Sequence, residues 1–223
     1  LIMSGKILVD RQRVDEPGAR VDTDASIVLK GEEMPYVSRG GLKLAGAIDA
    51  TGLSVTDLIC MDVGASTGGF TDCLLQKGAR HVYAVDVGYG QLAWKLRQDP
   101  RVTVIERTNI RHLTTEQVPV NLDLATIDTS FISLKIVVPS TLPFLKPGGA
   151  ILALIKPQFE VGRGQVGKGG VVRDPRQHQA VLQELRTFFT AKGLACGAVT
   201  PSPIQGPKGN QEFVILLRTP LSD

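Results

Sequence analysis

Apolar positions along this chain follow two rhythms. Over residues 1–32 they come in short clusters, Lys6–Val9 and Ser26–Lys30, around a polar stretch that holds Pro17-Gly18. That spacing predicts brief strands joined by turns. From about Tyr36 the pattern changes to apolar runs separated by helical spacing. The runs are Leu58–Val63, His81–Asp86, Val102–Glu106, Leu122–Asp128 and Ala150–Ile155. Ala150–Ile155 is continuous in apolar residues, as a strand covered on both faces must be. Helices are predicted over Phe70–Lys77, near Leu92–Gln98 and over Ser133–Leu145, the last broken at Pro143 and ended by Pro147-Gly148-Gly149. Gln177–Lys192 reads as an amphipathic helix with Asp174-Pro175 as cap and first-turn proline. Leu194–Thr200 and Phe213–Arg218 then follow as strands with no helix between them.

Strand–helix alternation of this kind predicts an α/β domain of the doubly wound, Rossmann-like type. The expected sheet has seven strands, mostly parallel, and ends in an antiparallel hairpin, the variant found in methyltransferases. Its ligand site is expected at the carboxyl ends of the strands. The expected division is residues 1–32 as a first domain, 33–44 as a linker bearing the first site lysine, and 45–223 as the main domain. The chain opens at Leu1 in mid-pattern, so a preceding segment is expected.

Composition changes this picture little. A net charge of +3 and a pI near 8.8 permit a nucleic-acid partner without demanding one. Cys60, Cys73 and Cys196 read as buried thiols of a reducing compartment rather than a disulfide framework. His81, His112 and His178 stand far from one another and from any paired cysteines, so no metal site is expected. No apolar run approaches the ~20 residues of a membrane span, and no signal peptide is visible. A cytoplasmic location without membrane contact is expected.

The sharpest local signal is Asp62-Val-Gly64-Ala-Ser66-Thr67-Gly68-Gly69-Phe70, set between a strand and a helix. Glycines let the backbone turn tightly and approach a ligand, and the helix offers free N–H groups at its start. Ser66 stands where a dinucleotide fingerprint needs glycine. A carboxylate before the first glycine, Asp62, suits a cofactor with a cationic amino-acid tail. Asp86, with Val87 beside it, closes the next strand at the distance where an acidic residue takes ribose hydroxyls. Asn109, after the third strand, is placed to read an adenine edge. These residues point to S-adenosylmethionine (SAM).

Methyl transfer needs a placed nucleophile and a managed proton. Methylation at cytosine carbon 5 requires a cysteine at a strand end, and none of the three is there. The loop Asp128-Thr129-Ser130-Phe131 shares only its ends with the Asp/Asn-Pro-Pro-Tyr/Phe loop of amine methyltransferases. Metal-dependent hydroxyl methylation would need clustered carboxylates or histidines, which the sequence does not offer. What the strand ends do supply is Asp128, Lys156 and, if the last strand runs antiparallel, Glu212. Lys43 adds a cation from the helix before the first main strand. Two lysines and two carboxylates converging on one pocket suit a ribose hydroxyl, whose developing alkoxide a cation stabilises.

Tyr36-Val-Ser38-Arg39-Gly40-Gly41-Leu42-Lys43-Leu44, the glycine loop, Asp128-Thr-Ser-Phe131-Ile-Ser133 and Lys156-Pro-Gln-Phe-Glu160 together resemble the haemolysin A (TlyA) family. That family is similar to FtsJ-type ribose methyltransferases. The resemblance implies a catalytic Lys-Asp-Lys-Glu set at Lys43, Asp128, Lys156 and Glu212. It implies 2′-O methylation of cytidine in ribosomal RNA of both subunits, with ribosomal RNA or ribosomal subunits as partners. It also implies that residues 1–32 are the trailing part of an S4-type RNA-binding domain. Arg39, and Arg163, Lys168 and Arg173 in a glycine-rich loop, are candidate RNA contacts. Two rival functions are a membrane-active haemolysin, suggested by the family name, and a non-catalytic SAM-binding RNA chaperone.

Overall fold

The computed structural model describes residues 7–29, 34–162, 164–167 and 169–221. Two compact units divide the chain, Leu1–Pro35 and Tyr36–Asp223. In the first, β1 (Ile7–Val9), β2 (Gln12–Val14) and β3 (Ile27–Leu29) form an antiparallel sheet in the order β2-β1-β3. Asp10 and Arg11 both take positive φ between β1 and β2, the backbone that suits a two-residue hairpin turn to the twist of its strands.

The second unit holds β4 (Ile59–Val63), β5 (His81–Val85), β6 (Val102–Ile105), β7 (Leu122–Ile127), β8 (Leu145–Ile155), β9 (Ala195–Pro201) and β10 (Phe213–Arg218). They make one sheet in the order β6-β5-β4-β7-β8-β10-β9. Strands β4 to β8 pair in parallel, whereas β10 runs antiparallel to both β8 and β9. The expected seven-stranded sheet with its terminal hairpin is therefore present. Strand order reverses between β4 and β7, which opens a crevice at their carboxyl ends.

Alternation along the strands sorts the core into two layers. Met61, Val63, Ile127, Ile151, Ala153 and Ile155 face one side, where α4 (Leu134–Thr141) and, beyond the short α5 (Pro157–Glu160), α6 (Pro175–Ala191) bury Val137, Val138, Val181, Leu185 and Phe189. Cys60, Val82, Leu124, Leu152 and Leu154 face the other, under α1 (Gly40–Thr51), α2 (Gly69–Gln76) and α3 (Trp94–Arg97). Asp174 caps α6 by accepting from Arg176 N at 2.9 Å, with Pro175 in the first turn as the sequence predicts.

One predicted boundary moves. The helix expected over Ser133–Leu145 ends at Thr141 and continues as a short 3₁₀ turn, Leu142–Phe144. Strand β8 then begins at Leu145, not after the glycines. Pairing with β7 slips between Leu122↔Leu145 and Leu124↔Ala150, so Lys146–Gly149 bulge out of the ladder. The chain beyond β10 satisfies that bulge, with Thr219 N on Gly149 O at 2.9 Å and Gly148 N on Pro220 O at 2.8 Å.

Candidate active site

The crevice is built first by backbone. Gly64 turns the chain out of β4 with φ of 88°, and a Cβ there would lie 2.7 Å from the carbonyl oxygen of Asp128. Both facts demand glycine. Ser66 N donates to Asp86 Oδ2 at 2.7 Å and Gly88 N to Asp86 Oδ1 at 2.6 Å. Asp86, at the end of β5, thus braces the loops after two neighbouring strands.

Asp62 has a different place from the one expected. It is fully buried on the face covered by α1–α3, and its Oδ2 accepts from Thr71 N at 2.9 Å and Thr71 Oγ1 at 2.7 Å. Burial pushes its pKa up to about 7, with Asp128 and Asp86 adding to the rise and Thr71 opposing it. It lines no part of the crevice. Its role as direct counter-charge to a cofactor tail is therefore corrected: it ties β4 to the first turn of α2. Gly68 also stands back, at φ of 96°, with Leu92 and Leu96 packed where its side chain would be.

Two lobes meet at Gly64, Ser66, Asp128 and Ser130. The larger, about 610 Å³, carries Asp86, Val87 and Asn109 among apolar walls that include Ile110 and Val137. Asn109 Oδ1 caps the 3₁₀ turn Ile110–His112, accepting from Arg111 N at 3.0 Å. Its amide nitrogen is what it has left to offer a ligand. The second lobe, about 490 Å³, carries Thr67, Gly69, Phe70, Arg39, Lys43 and Lys156.

The four charged residues form two pairs. Lys43 Nζ lies 2.5 Å from Glu212 Oε2, and Lys156 Nζ lies 2.6 Å from Asp128 Oδ1. The second contact is an ion pair rather than an aligned hydrogen bond, since Lys156 Nζ donates instead to Ser130 Oγ at 3.0 Å. Both lysines are about nine-tenths buried and Glu212 wholly so, at positions where unpaired charge is costly. Topology explains the meeting. Lys156 and Asp128 directly follow parallel strands β8 and β7, while Glu212 directly precedes antiparallel β10, whose Phe213 pairs with Ile155.

Of the basic candidates, Arg39 is exposed at the second lobe and its Nη2 donates to Gln205 O at 2.9 Å. Arg173 is exposed but lines neither lobe. Arg163 and Lys168 lie outside the described residues. Sequence reading missed Ser130, which joins the lobes, and the pair Phe131–Phe159. Phe131 is 89% exposed, takes φ of 63°, and sets its ring 4.8 Å from that of Phe159. A bulky residue at positive φ is a strained position of the kind that gathers at functional sites; its place in the Asp128–Phe131 loop was the available signal. Among the described residues no group of three or more His, Cys, Asp or Glu could hold a metal ion, and no helix is long and apolar enough to cross a membrane.

A mostly parallel seven-stranded sheet with an antiparallel strand set against its last parallel member, and a glycine turn at its switch point, is the scaffold of a methyltransferase. The chain belongs to the FtsJ-like methyltransferase family, whose model matches residues 36–219. It is 51% identical to a Bacillus subtilis protein provisionally named an rRNA methyltransferase, YqxC, over 98% of this chain and 78% of that one. It is 47% identical to the Mycobacterium tuberculosis 16S/23S rRNA (cytidine-2′-O)-methyltransferase TlyA, over 98% and 82%. A solved Streptococcus thermophilus protein with a provisional description as a hemolysin superposes at TM-score 0.84 and 45% identity, covering all of this chain and 82% of that one.

Proposed function

We propose that this protein transfers a methyl group from SAM to the ribose 2′-oxygen of cytidine in ribosomal RNA. The observation that carries the reading is the pair of lysine–carboxylate contacts, Lys43–Glu212 and Lys156–Asp128, which sets two buried ammonium groups on one lobe. The adjoining lobe fits the cofactor's adenosine by chemistry: apolar walls for a flat base, Asp86 for hydroxyls, and the Asn109 amide for a base edge. Bound there, SAM supplies an electrophilic methyl group.

The residues of this chain handle the acceptor. The ribose oxygen forms its bond to the methyl carbon as the methyl–sulfur bond breaks and neutral S-adenosylhomocysteine is left; the hydroxyl proton passes to solvent, and the oxygen gains negative charge on the way. Two fixed ammonium groups stabilise that charge, without reorganisation at the moment of reaction. Asp128, Glu212 and Ser130 keep the lysines from swinging. Phe131 offers an exposed aromatic face beside Asp128 and Ser130, the kind of surface on which an unstacked RNA base rests. Arg39 and Arg173 are exposed where phosphates can reach them, and the three-stranded sheet of residues 7–29 is read as the trailing part of an S4-type RNA-binding domain. Such a substrate places the protein in the cytoplasm. The membrane-lytic alternative rests on the names of relatives alone.

The test is methyl transfer from labelled SAM to purified ribosomal subunits and to naked ribosomal RNA, with Lys156→Ala alongside. Label at an alkali-resistant linkage, mapped to cytidine and lost in the variant, is the expected result. Label on a base, or none on any RNA while SAM binds, overturns the reading.

A further inference from the structure

Glu212 is held on one side by Lys43 and on the other by a turn. That turn runs through Gly206–Asn210 and closes on itself, with Gly206 N on Asn210 O at 2.9 Å and Asn210 N on Pro207 O at 3.3 Å. It abuts the carboxylate so closely that a Cβ on Gly206 would overlap Glu212 Oε1. Oε1 itself is buried with no hydrogen-bond partner. The aim of the Glu212 carboxylate therefore depends on where this wall stands. Lys208, in the turn, takes φ of 59°, so the wall is not in a conformation its own backbone prefers. Something else has to hold it.

Asn210 is that restraint. The residue is 3% exposed. Its Nδ2 donates to Pro207 O within the turn at 3.3 Å and to Gly170 O at 3.0 Å, while its Oδ1 accepts from Val172 N at 3.1 Å. Half-buried Gly170 and buried Val171 and Val172 form the return of the glycine-rich loop that follows Lys156 and the short helix Pro157–Glu160, and His178 secures it further, Nε2 to Val172 O at 2.9 Å. One amide thus joins two backbone segments that have no regular ladder between them. We propose that Asn210 is a positioning residue for methyl transfer: it ties the loop that follows Lys156 to the turn that aims Glu212, so that both lysine–carboxylate pairs are registered against each other. It touches neither pair directly and acts through the wall.

This inference rests on the methyltransferase reading above. The experiment is a double-mutant cycle of single-turnover methyl transfer to ribosomal subunits, comparing wild type, Asn210→Ala, Glu212→Gln and the double variant. Acting through Glu212, Asn210→Ala slows the wild-type reaction at least about tenfold and the Glu212→Gln reaction less than about twofold, because coupled residues are not additive. The same fold-loss in both backgrounds marks a residue that only supports stability, and overturns the proposal; so does a wild-type loss under twofold. If Asn210→Ala does not fold, Asn210→Asp serves in the same cycle, since it keeps the acceptor for Val172 N and gives up both donations. Wild type that methylates no RNA removes the functional reading and this inference with it, whereas active wild type with an additive cycle removes the inference alone.

Discussion

Lys43 and Glu212 stand 169 positions apart in sequence and meet at 2.5 Å, the lysine 8% exposed and the glutamate not at all. Taking away one member of such a pair leaves the other charged in an apolar site, which costs about 3–5 kcal/mol. We predict that Lys43→Ala loses stability on this scale in urea unfolding. Lys43→Ala combined with Glu212→Gln should be the more stable of the two variants. A double variant no better than the single would mean that burial, not pairing, sets the cost.

Lys156 tests the chemistry rather than the fold. Removing one preorganised electrostatic group from a transition state lowers kcat by about 10²–10³, and Lys156→Ala should fall at least that far while SAM affinity changes little. Lys156→Arg keeps the charge but replaces a compact ammonium with a planar fork, so we expect only partial rescue. Equal activity of the alanine variant and wild type would remove the lysine from the reaction.

Asp62 predicts a pH effect on stability. Its pKa rises on folding, chiefly through burial, to about 7, from about 3.9 in the unfolded chain. A raised folded-state value favours the native state most below the unfolded pKa, and that advantage fades as pH climbs from about 4 to about 7. Asp62→Asn can still accept from Thr71 and does not titrate. We therefore predict that wild type loses a few kcal/mol, in order of magnitude, relative to this variant between pH 4 and 8. Denaturant midpoints across that range decide; parallel curves would contradict it.

Phe131 is so exposed that its ring contributes little to the core. Base stacking on an aromatic ring is worth about 1–3 kcal/mol. Phe131→Ala should accordingly weaken productive RNA binding, seen as a rise in KM of about tenfold or more, with the unfolding midpoint unchanged. Phe131→Leu should recover little of the loss. An unchanged KM would assign the exposed ring no part in RNA recognition.

The main sheet was legible because parallel strands covered on both faces must be written in apolar residues, as β4, β5 and β8 are. Strand β2 was not legible: Gln-Arg-Val at a sheet edge has no apolar run, and its turn through Asp10 and Arg11 lacks glycine. Asp128, Lys156 and Glu212 could be expected from strand direction alone, since they flank strand ends, whereas Lys43 lies within α1. Asp62 was misplaced because the sequence does not say which face of β4 its side chain takes, and that face is sealed by α2. Ser130 and Asn210 carry no local sequence signal of their contacts. Their partners lie 26 residues away for Ser130, and 40 and 38 residues away for the bonds of Asn210 to Gly170 and Val172, in segments only the fold brings near.

Strand β10 is the last of the sheet's strands to be synthesised, yet it lies between β8 and β9 in space. Until it emerges from the ribosome, β8 has a bare edge, β9 has no neighbour to dock on, and Lys43 has no counter-ion. Closure of the sheet and pairing of Lys43 with Glu212 are therefore one event, set by the strand made last.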